Sequence, residues 1–131
     1  RYHELKYGDV THEEYRELLR KSKAMIFLCE HENQGMAYQE ALASNVPIIA
    51  WDHGWWTDPV WQAYSNKPTH ATSVPMFSNK CGEKFKMISE FPRVFESFWK
   101  KLNKYKPRDY IKKELSLKKS AKLYTKYYFR L

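Results

Sequence analysis

The sequence has no apolar run of the roughly 18 residues that a membrane-spanning helix requires, and no signal-peptide pattern at its start. It has no internal repeat and no low-complexity tract, so neither a repeat array nor a disordered linker is expected. Cysteine is scarce, and Cys29 and Cys81 do not form a metal-binding spacing. Because Cys29 ends an apolar run, we expect a reduced, packed thiol, which favours a cytoplasmic location.

What the sequence does contain is typical of a folded domain. Its 131 residues are one domain's worth of chain, of which 43% are apolar and 17% aromatic. The high aromatic content predicts large, flat contact surfaces. We therefore expect residues 1–131 to form a single domain.

The net charge of +8 is concentrated at the C-terminal end. Residues 99–131 carry twelve Lys or Arg and two acids, a net +10, so the preceding 98 residues sum to −2. The basic character therefore belongs to the last quarter of the chain. Residues 108–131 are predicted to be a basic, helical C-terminal segment.

Helix and strand patterns alternate along the chain. Thr11 and Glu14 have the spacing of a capping box, and two continuous apolar runs are typical of parallel strands covered on both faces. This order predicts an α/β fold, a Rossmann-like parallel sheet with flanking helices. The predicted elements are a strand at 5–7, a helix at 12–22, a strand at 24–29, a helix at 34–44 with Asn45 as a left-handed cap, a strand at 46–51, a helix at 60–64 begun by Asp58 and Pro59, a strand at 73–77, a loop at 78–82, a helix from Pro92 that ends at Lys106-Pro107, and a final helix capped by Ser116.

The stretch 24–51 predicts a ligand site at the start of its helix. Glu32 lies just before the helix and Glu40 two turns inside it, with Gly35 between them. The first amides of a helix suit an anionic group, and a glycine lets a phosphate approach the backbone. Carboxylates at both ends accept hydrogen bonds from sugar hydroxyls. The alternative, which chance motif matches favour, is that both are ordinary acidic residues near a helix.

Residues 32–43, ENQGMAYQEALA, resemble the Glu-x7-Glu motif of retaining GT-B glycosyltransferases, which use nucleotide-sugar donors. The flanks agree with this: Gly8, the helix at 12–22, an apolar strand on each side of the motif, and the closing basic helix. The similarity covers most of the chain, and residues 54–90 match least. The resemblance implies that the chain is part of the C-terminal, donor-binding domain of a GT-B fold.

The resemblance also implies a role for each motif residue. Glu32 would contact the donor sugar at the catalytic centre, as a donor-positioning residue, and Glu40 would hold the ribose hydroxyls. The reaction implied is glycosyl transfer with retention, from a UDP- or GDP-sugar and without a metal or other cofactor. The donor-binding residues between the two carboxylates, whose amides at 34–37 would contact the sugar and the diphosphate, are Asn33, Gln34, Gly35, Met36 and Ala37.

Three features depart from the family pattern. Asn33 and Gln34 stand where the family has small or aromatic residues. Trp55 and Trp56 stand where it has a glycine-rich turn, and they either stack on a sugar or base or pack against a partner domain. The family's earlier βα units, with a diphosphate-binding Arg/Lys pair, have no match. We therefore expect the back portion of a longer enzyme, inactive without its N-terminal acceptor-binding domain.

His53 and the basic tail leave several interpretations open. His53 leaves a strand at its C-terminal end, where such sheets bind ligands, although a lone His is more often structural. One interpretation of the tail is that the enzyme itself contacts the inner face of an anionic membrane peripherally through the basic C-terminal helix, whereas nucleic acid is not favoured. The rival to the glycosyltransferase is a non-enzymatic module whose half-fold and basic tail bind a membrane surface or, less favoured, nucleic acid. The apolar face of the final helix, which is predicted to pack on the domain, comprises Leu117, Ala121, Tyr124, Tyr128 and Leu131.

Overall fold

A computed structural model of the chain describes residues 2–65 and 67–129. Short 3-10 turns at Ile88–Glu90 and Leu102–Lys104 flank the helix that follows the last strand. The helices and strands of the described residues are α1 (His12–Lys21), β1 (Met25–Leu28), α2 (Met36–Ala43), β2 (Ile48–Trp51), α3 (Pro59–Tyr64), β3 (Gly82–Phe85), α4 (Phe91–Lys100), α5 (Pro107–Glu114) and α6 (Leu117–Tyr128).

The three strands form a parallel sheet in the order β1-β2-β3. Leu28, Trp51 and Phe85 lie in register at its carboxyl edge, so the loops that leave the strands emerge at one side of the sheet. The predicted α/β class, a Rossmann-like parallel sheet with flanking helices, is confirmed. Such sheets bind ligands outside the carboxyl ends of their strands.

The predicted helix signals are confirmed at three positions. Thr11 and Glu14 form the reciprocal capping box at the start of α1. Asn45 ends α2 with a φ of 64°, the left-handed conformation that an asparagine tolerates. Asp58 caps α3 by accepting from the amides of Val60 and Trp61.

Two predicted strands are wrong, and one strand was missed. Residues 5–7 are irregular and end in a turn. Residues 73–77 form a turn, because Pro75 has no N–H for a ladder and Met76 has a φ of 57°. The missed strand is β3, whose start was predicted as loop. At its first residue a Cβ would overlap the backbone of Ile48, so only a glycine lets this strand approach β2.

The core has one layer on each side of the sheet. On the first side, α1, α2 and α5 cover Phe27, Ile48 and Ala50. On the second side, Phe98 of α4 packs on Ile49 and Phe85. The helix α5 lies within the predicted helical segment 108–131, and Pro107 stands at its first position, where its missing N–H costs nothing. The preceding helix was predicted to continue to Lys106, but α4 ends at Lys100.

The second side of β1 is not covered, which corrects the prediction that this strand is buried on both faces. Ile26 is 48% exposed and Leu28 69% exposed, while Phe27 between them is buried. The reason is positional: α4 packs on β3, and β1 is the far edge strand. For β2, in contrast, Ile48, Ile49 and Ala50 are all buried, as predicted.

The final helix forms as predicted, with Ser116 as its cap, but it does not pack its apolar face on the domain. No residue of α6 is buried, and every residue from 120 to 129 is exposed. Of the predicted face, Leu117, Ala121, Tyr124 and Tyr128 are exposed, and Leu131 lies outside the described residues. No helix within the described ranges is long and apolar enough to cross a membrane.

Candidate functional site at the carboxyl edge of the sheet

The candidate site begins where β1 passes into α2. The backbone N–H groups of Met36 and Ala37 have no hydrogen-bond partner among the described residues, as is usual in the first turn of a helix. Asn33, Gln34 and Met36 are exposed. The predicted donor-binding stretch therefore offers free donors at a helix N-terminus, where the helix dipole favours an anion.

Gly35, the N-cap of α2, is required for side-chain packing whether or not a ligand binds. Its φ of 70° is left-handed, and a Cβ on it would overlap the ring of Tyr38. Tyr38 is fully buried, packs on Phe27 at a ring-centroid distance of 5.6 Å, and donates its hydroxyl to the carbonyl of Pro75. The space beside Gly35, which the sequence suggested for a phosphate, is therefore filled by a side chain.

Glu32 is half-buried beneath the loop that follows β2. Its backbone N–H donates to the carbonyl of Thr72 over 2.9 Å. Its carboxylate Oε1 accepts from the thiol of Cys29 over 3.9 Å. Burial, followed by the negative charge of Glu32, raises the pKa of the Cys29 thiol, so this cysteine is held as a neutral thiol rather than as a nucleophilic thiolate.

Glu40 has different surroundings. Its Oε2 lies 2.8 Å from Nε2 of His12, at the start of α1. One turn farther along α1, Tyr15 donates its hydroxyl to the carbonyl of Ala37 over 2.7 Å, which holds the first turn of α2 against α1. Burial, and then the charge of Glu40, raises the pKa of Tyr15 to about 12, so its hydroxyl stays a donor.

Glu40 lines a groove of about 440 Å³ between α1, α2 and α5. Arg108 reaches into it from α5 and donates its Nε to the carbonyl of Ala43 over 2.8 Å. The groove has three guanidinium groups and one carboxylate, but Arg16 and Arg20 also pair with Glu13 and Glu17 of α1. Arg108 has no carboxylate partner among the described residues, so its guanidinium group is the one that suits a negatively charged ligand. The polar lining residues of the groove are His12, Arg16, Arg20, Glu40, Ser44 and Arg108.

A buried carboxylate that the sequence did not single out supports the same edge of the sheet. Asp52, directly after β2, is only 6% exposed and accepts from Nζ of Lys84 over 2.8 Å. Thr72 and Ser73 also donate to it, over 3.0 and 3.2 Å. Burial opposes ionisation, but these hydrogen bonds outweigh it and lower the pKa of Asp52. The available signal was the position of Asp52 directly after a buried strand, whereas its partner Lys84 is placed by the pairing of β3 with β2.

The loop from residue 52 to residue 73 folds back over this edge. Trp56 donates its backbone N–H to the carbonyl of Thr69 over 2.8 Å, and its ring lies 3.8 Å from that of His31. Trp55 stacks on His70 with the ring centroids 4.1 Å apart. Both tryptophans therefore use a ring face within the chain, a third possibility beside the two that the sequence left open.

Three buried nitrogen atoms near this loop have no hydrogen-bond partner among the described residues. They are Nδ1 of His31, Nδ1 of His53 and Nε1 of Trp56. The structure thus places His53 half-buried, with its Nδ1 shielded from solvent. Buried polar atoms of this kind are normally paired with protein or water, and no role follows from them alone.

The predicted site residues therefore fall into two groups along α2. Glu32 lies under the loop after β2 with the exposed helix start next to it, and Glu40 lies in the basic groove with His12 and Arg108. Hydroxyl groups of a ligand can donate to either carboxylate, and an anionic group can accept from the amides or the guanidinium groups. No protein-family model, no curated protein and no solved structure matches the chain.

Proposed function

We propose that the chain is the donor-binding portion of a retaining glycosyltransferase and binds a nucleotide-activated sugar. The observation that carries the proposal is the position of Glu40. It lies in a groove with three arginines, on the same helix whose first amides have no partner among the described residues. A hydroxyl acceptor beside cationic groups is the combination that a nucleotide sugar requires.

The proposed donor lies along α2. Its ribose hydroxyls donate to Glu40, and its diphosphate accepts from the amides of Met36 and Ala37. The distance along α2 from Met36 to Glu40 fits one ligand that places its diphosphate at the first and its ribose at the second, because four helical residues span about 6 Å. The donor sugar reaches Glu32, which positions it. The acceptor side of the reaction is supplied from outside these residues, and stabilisation of the leaving diphosphate by amides and cations drives the transfer.

Calorimetric titration with UDP, GDP and their sugars tests the proposal. Glu40→Ala removes hydrogen bonds to a charged acceptor, which is expected to weaken nucleotide binding by about 1–3 kcal/mol, or about 5- to 150-fold. Glu96→Ala is the matched control, because Glu96 lies on α4 and, among the described residues, pairs only with Lys100 across one helical turn. Equal affinities for the two variants would show that Glu40 does not hold the ribose. The failure of every nucleotide to bind would contradict donor binding by this chain.

A cytoplasmic location is part of the same proposal. Cys29 and Cys81 are both free thiols, and Cys81 is fully buried. Burial raises the pKa of Cys81 to about 11, so it is an inert packing residue. Free, packed thiols are the usual state in reducing compartments.

A non-enzymatic module that binds an anionic surface is the second candidate function. The observation that favours it is the net +10 of residues 99–131, which end in a helix with no buried residue. Salt-sensitive binding to an anionic polymer or surface, together with no affinity for any nucleotide sugar, would favour this candidate over the first.

A further inference from the structure

The helix α6 presents both of its faces to solvent. Tyr124 and Tyr127 are 67% and 64% exposed, and Leu117 is more exposed still. Its ties to the domain lie at its start, where Ser116 caps it and Lys119 pairs with Glu114. A helix of 12 residues gains little from propensity alone, so an exposed apolar face of this size indicates an additional surface that covers it.

The two faces of α6 are chemically distinct. At 3.6 residues per turn, the apolar and aromatic side chains fall within an arc of about 160°, and the lysines lie on the opposite side. Tyr124 and Tyr128 stack with ring centroids 5.6 Å apart, and Phe129 packs edge-on against Tyr128. The apolar face, called the tyrosine face below, comprises Leu117, Ala121, Leu123, Tyr124, Tyr127 and Tyr128. The opposite face, the lysine face, comprises Lys118, Lys119, Lys122 and Lys126.

The charge of α6 has one sign. No acidic residue occurs after Glu114, and Glu114 itself is paired with Lys119. Lys118, Lys122 and Lys126 have no carboxylate partner among the described residues. The complementary surface is therefore anionic, and it must also accept a row of tyrosines.

We propose that α6 binds the surface of an anionic bilayer, with its axis in the plane of the headgroups and its tyrosine face toward the acyl chains. Tyrosines suit this depth because the ring is apolar and the hydroxyl remains hydrated. The lysines lie above, where they attract anionic headgroups. The helix is about 18 Å long and cannot cross a hydrocarbon core of about 30 Å, so it lies on the membrane.

The placement of the two faces favours a membrane over nucleic acid. A single strand binds where cations track its backbone beside the aromatic rings on which its bases stack. In α6 the lysines and the tyrosines point in opposite directions, so one strand cannot use both. A bilayer surface uses this arrangement directly. The inference goes beyond the proposed glycosyltransferase function and does not depend on it.

Vesicle flotation with the full chain tests the inference. One set of vesicles is phosphatidylcholine alone, and the other is phosphatidylcholine mixed with phosphatidylglycerol. We expect binding to the mixed vesicles that weakens with added salt, and little binding to the neutral ones. The triple variant Lys118→Gln, Lys122→Gln and Lys126→Gln should lower the partition coefficient by about fivefold per lysine.

The tyrosine face is tested with a matched pair of variants. Tyr124→Ser with Tyr128→Ser removes two tyrosines from α6, and Tyr2→Ser with Tyr64→Ser removes two that are even more exposed elsewhere. We expect the first pair to lower vesicle binding at least tenfold and the second to leave it unchanged. Both pairs should keep the unfolding midpoint of the parent chain, because none of these residues is buried.

Three results would overturn the inference. The first is equal loss of vesicle binding in the two tyrosine pairs, and the second is equal binding to neutral and anionic vesicles. The third is no vesicle binding at all, accompanied by one of two other results. Either sedimentation equilibrium shows a dimer that the Tyr124→Ser, Tyr128→Ser variant dissociates, or the chain binds a single-stranded oligonucleotide tightly. A dimer would assign the tyrosine face to a second copy of the chain, and oligonucleotide binding would assign the lysines to nucleic acid.

Discussion

The ring of Tyr38 occupies the space that a Cβ on Gly35 would need. Because Tyr38 is fully buried and bonded to the carbonyl of Pro75, its ring cannot move aside without disturbing the core. The N-terminus of α2 is therefore fixed by packing before any ligand arrives. A glycine within the Glu-x7-Glu stretch has a structural reason that holds whether or not a donor binds there.

We expect Gly35→Ala to destabilise the fold by about 2–5 kcal/mol, which combines the left-handed backbone penalty with overpacking against Tyr38. Gly8→Ala and Gly54→Ala are the controls, since both glycines have a φ near 90° and open space where the Cβ would stand. These two variants should lose about 1–2 kcal/mol of unfolding free energy, from the left-handed backbone penalty alone. Urea unfolding measures all three, and equal losses would mean that the Tyr38 contact contributes nothing.

We expect the carboxylate of Asp52 to determine how the free energy of unfolding falls at acidic pH, which is called the acid limb below. Its pKa in the folded state lies below the value of about 3.9 for a free aspartate, because Lys84, Thr72 and Ser73 donate to it. Its contribution is therefore present above that unfolded pKa and is lost as the pH falls through the folded pKa. Asp52→Asn should destabilise the protein at neutral pH by about 1.5–3 kcal/mol and flatten the fall of stability below about pH 4.

The control for this pH dependence is Asp109→Asn, the same chemical change at an exposed position in α5. Thermal unfolding as a function of pH should give that variant the acid limb of the parent chain. If Asp52→Asn also keeps the parent's acid limb, another carboxylate governs acid unfolding.

Elements with local signals were predictable from the sequence. A few consecutive residues encode each of these elements, as in the apolar run of β2 and the caps at Thr11 and Asp58. The structure has all three at the predicted positions. In contrast, β3 has the sequence GEKF, and only Gly82 and Phe85 are buried. Its strand identity comes from pairing with β2, which no local pattern encodes.

The surroundings of the candidate site were less predictable than its residues. Glu32 and Glu40 stand out by spacing, but the residues that share the groove of Glu40 come from distant segments. His12 precedes it by 28 positions, and Arg108 follows Ala43 by 65. The loop that covers Glu32 through Thr72 is likewise set by tertiary hydrogen bonds. Such contacts follow from how the helices cross the sheet, and single-residue propensities do not specify them.

The two faces of β1 predict opposite mutational responses at adjacent residues. Phe27 is buried against Tyr38, so Phe27→Ala should destabilise the fold by about 3–5 kcal/mol. Leu28 is 69% exposed on the uncovered side, so Leu28→Ser should change stability by only about 0.5 kcal/mol. The same change should reduce self-association at high protein concentration, because it removes an apolar side chain from an edge strand. Urea unfolding and light scattering measure the two effects. A loss for Leu28→Ser comparable to that for Phe27→Ala would show that this side of β1 is covered in solution.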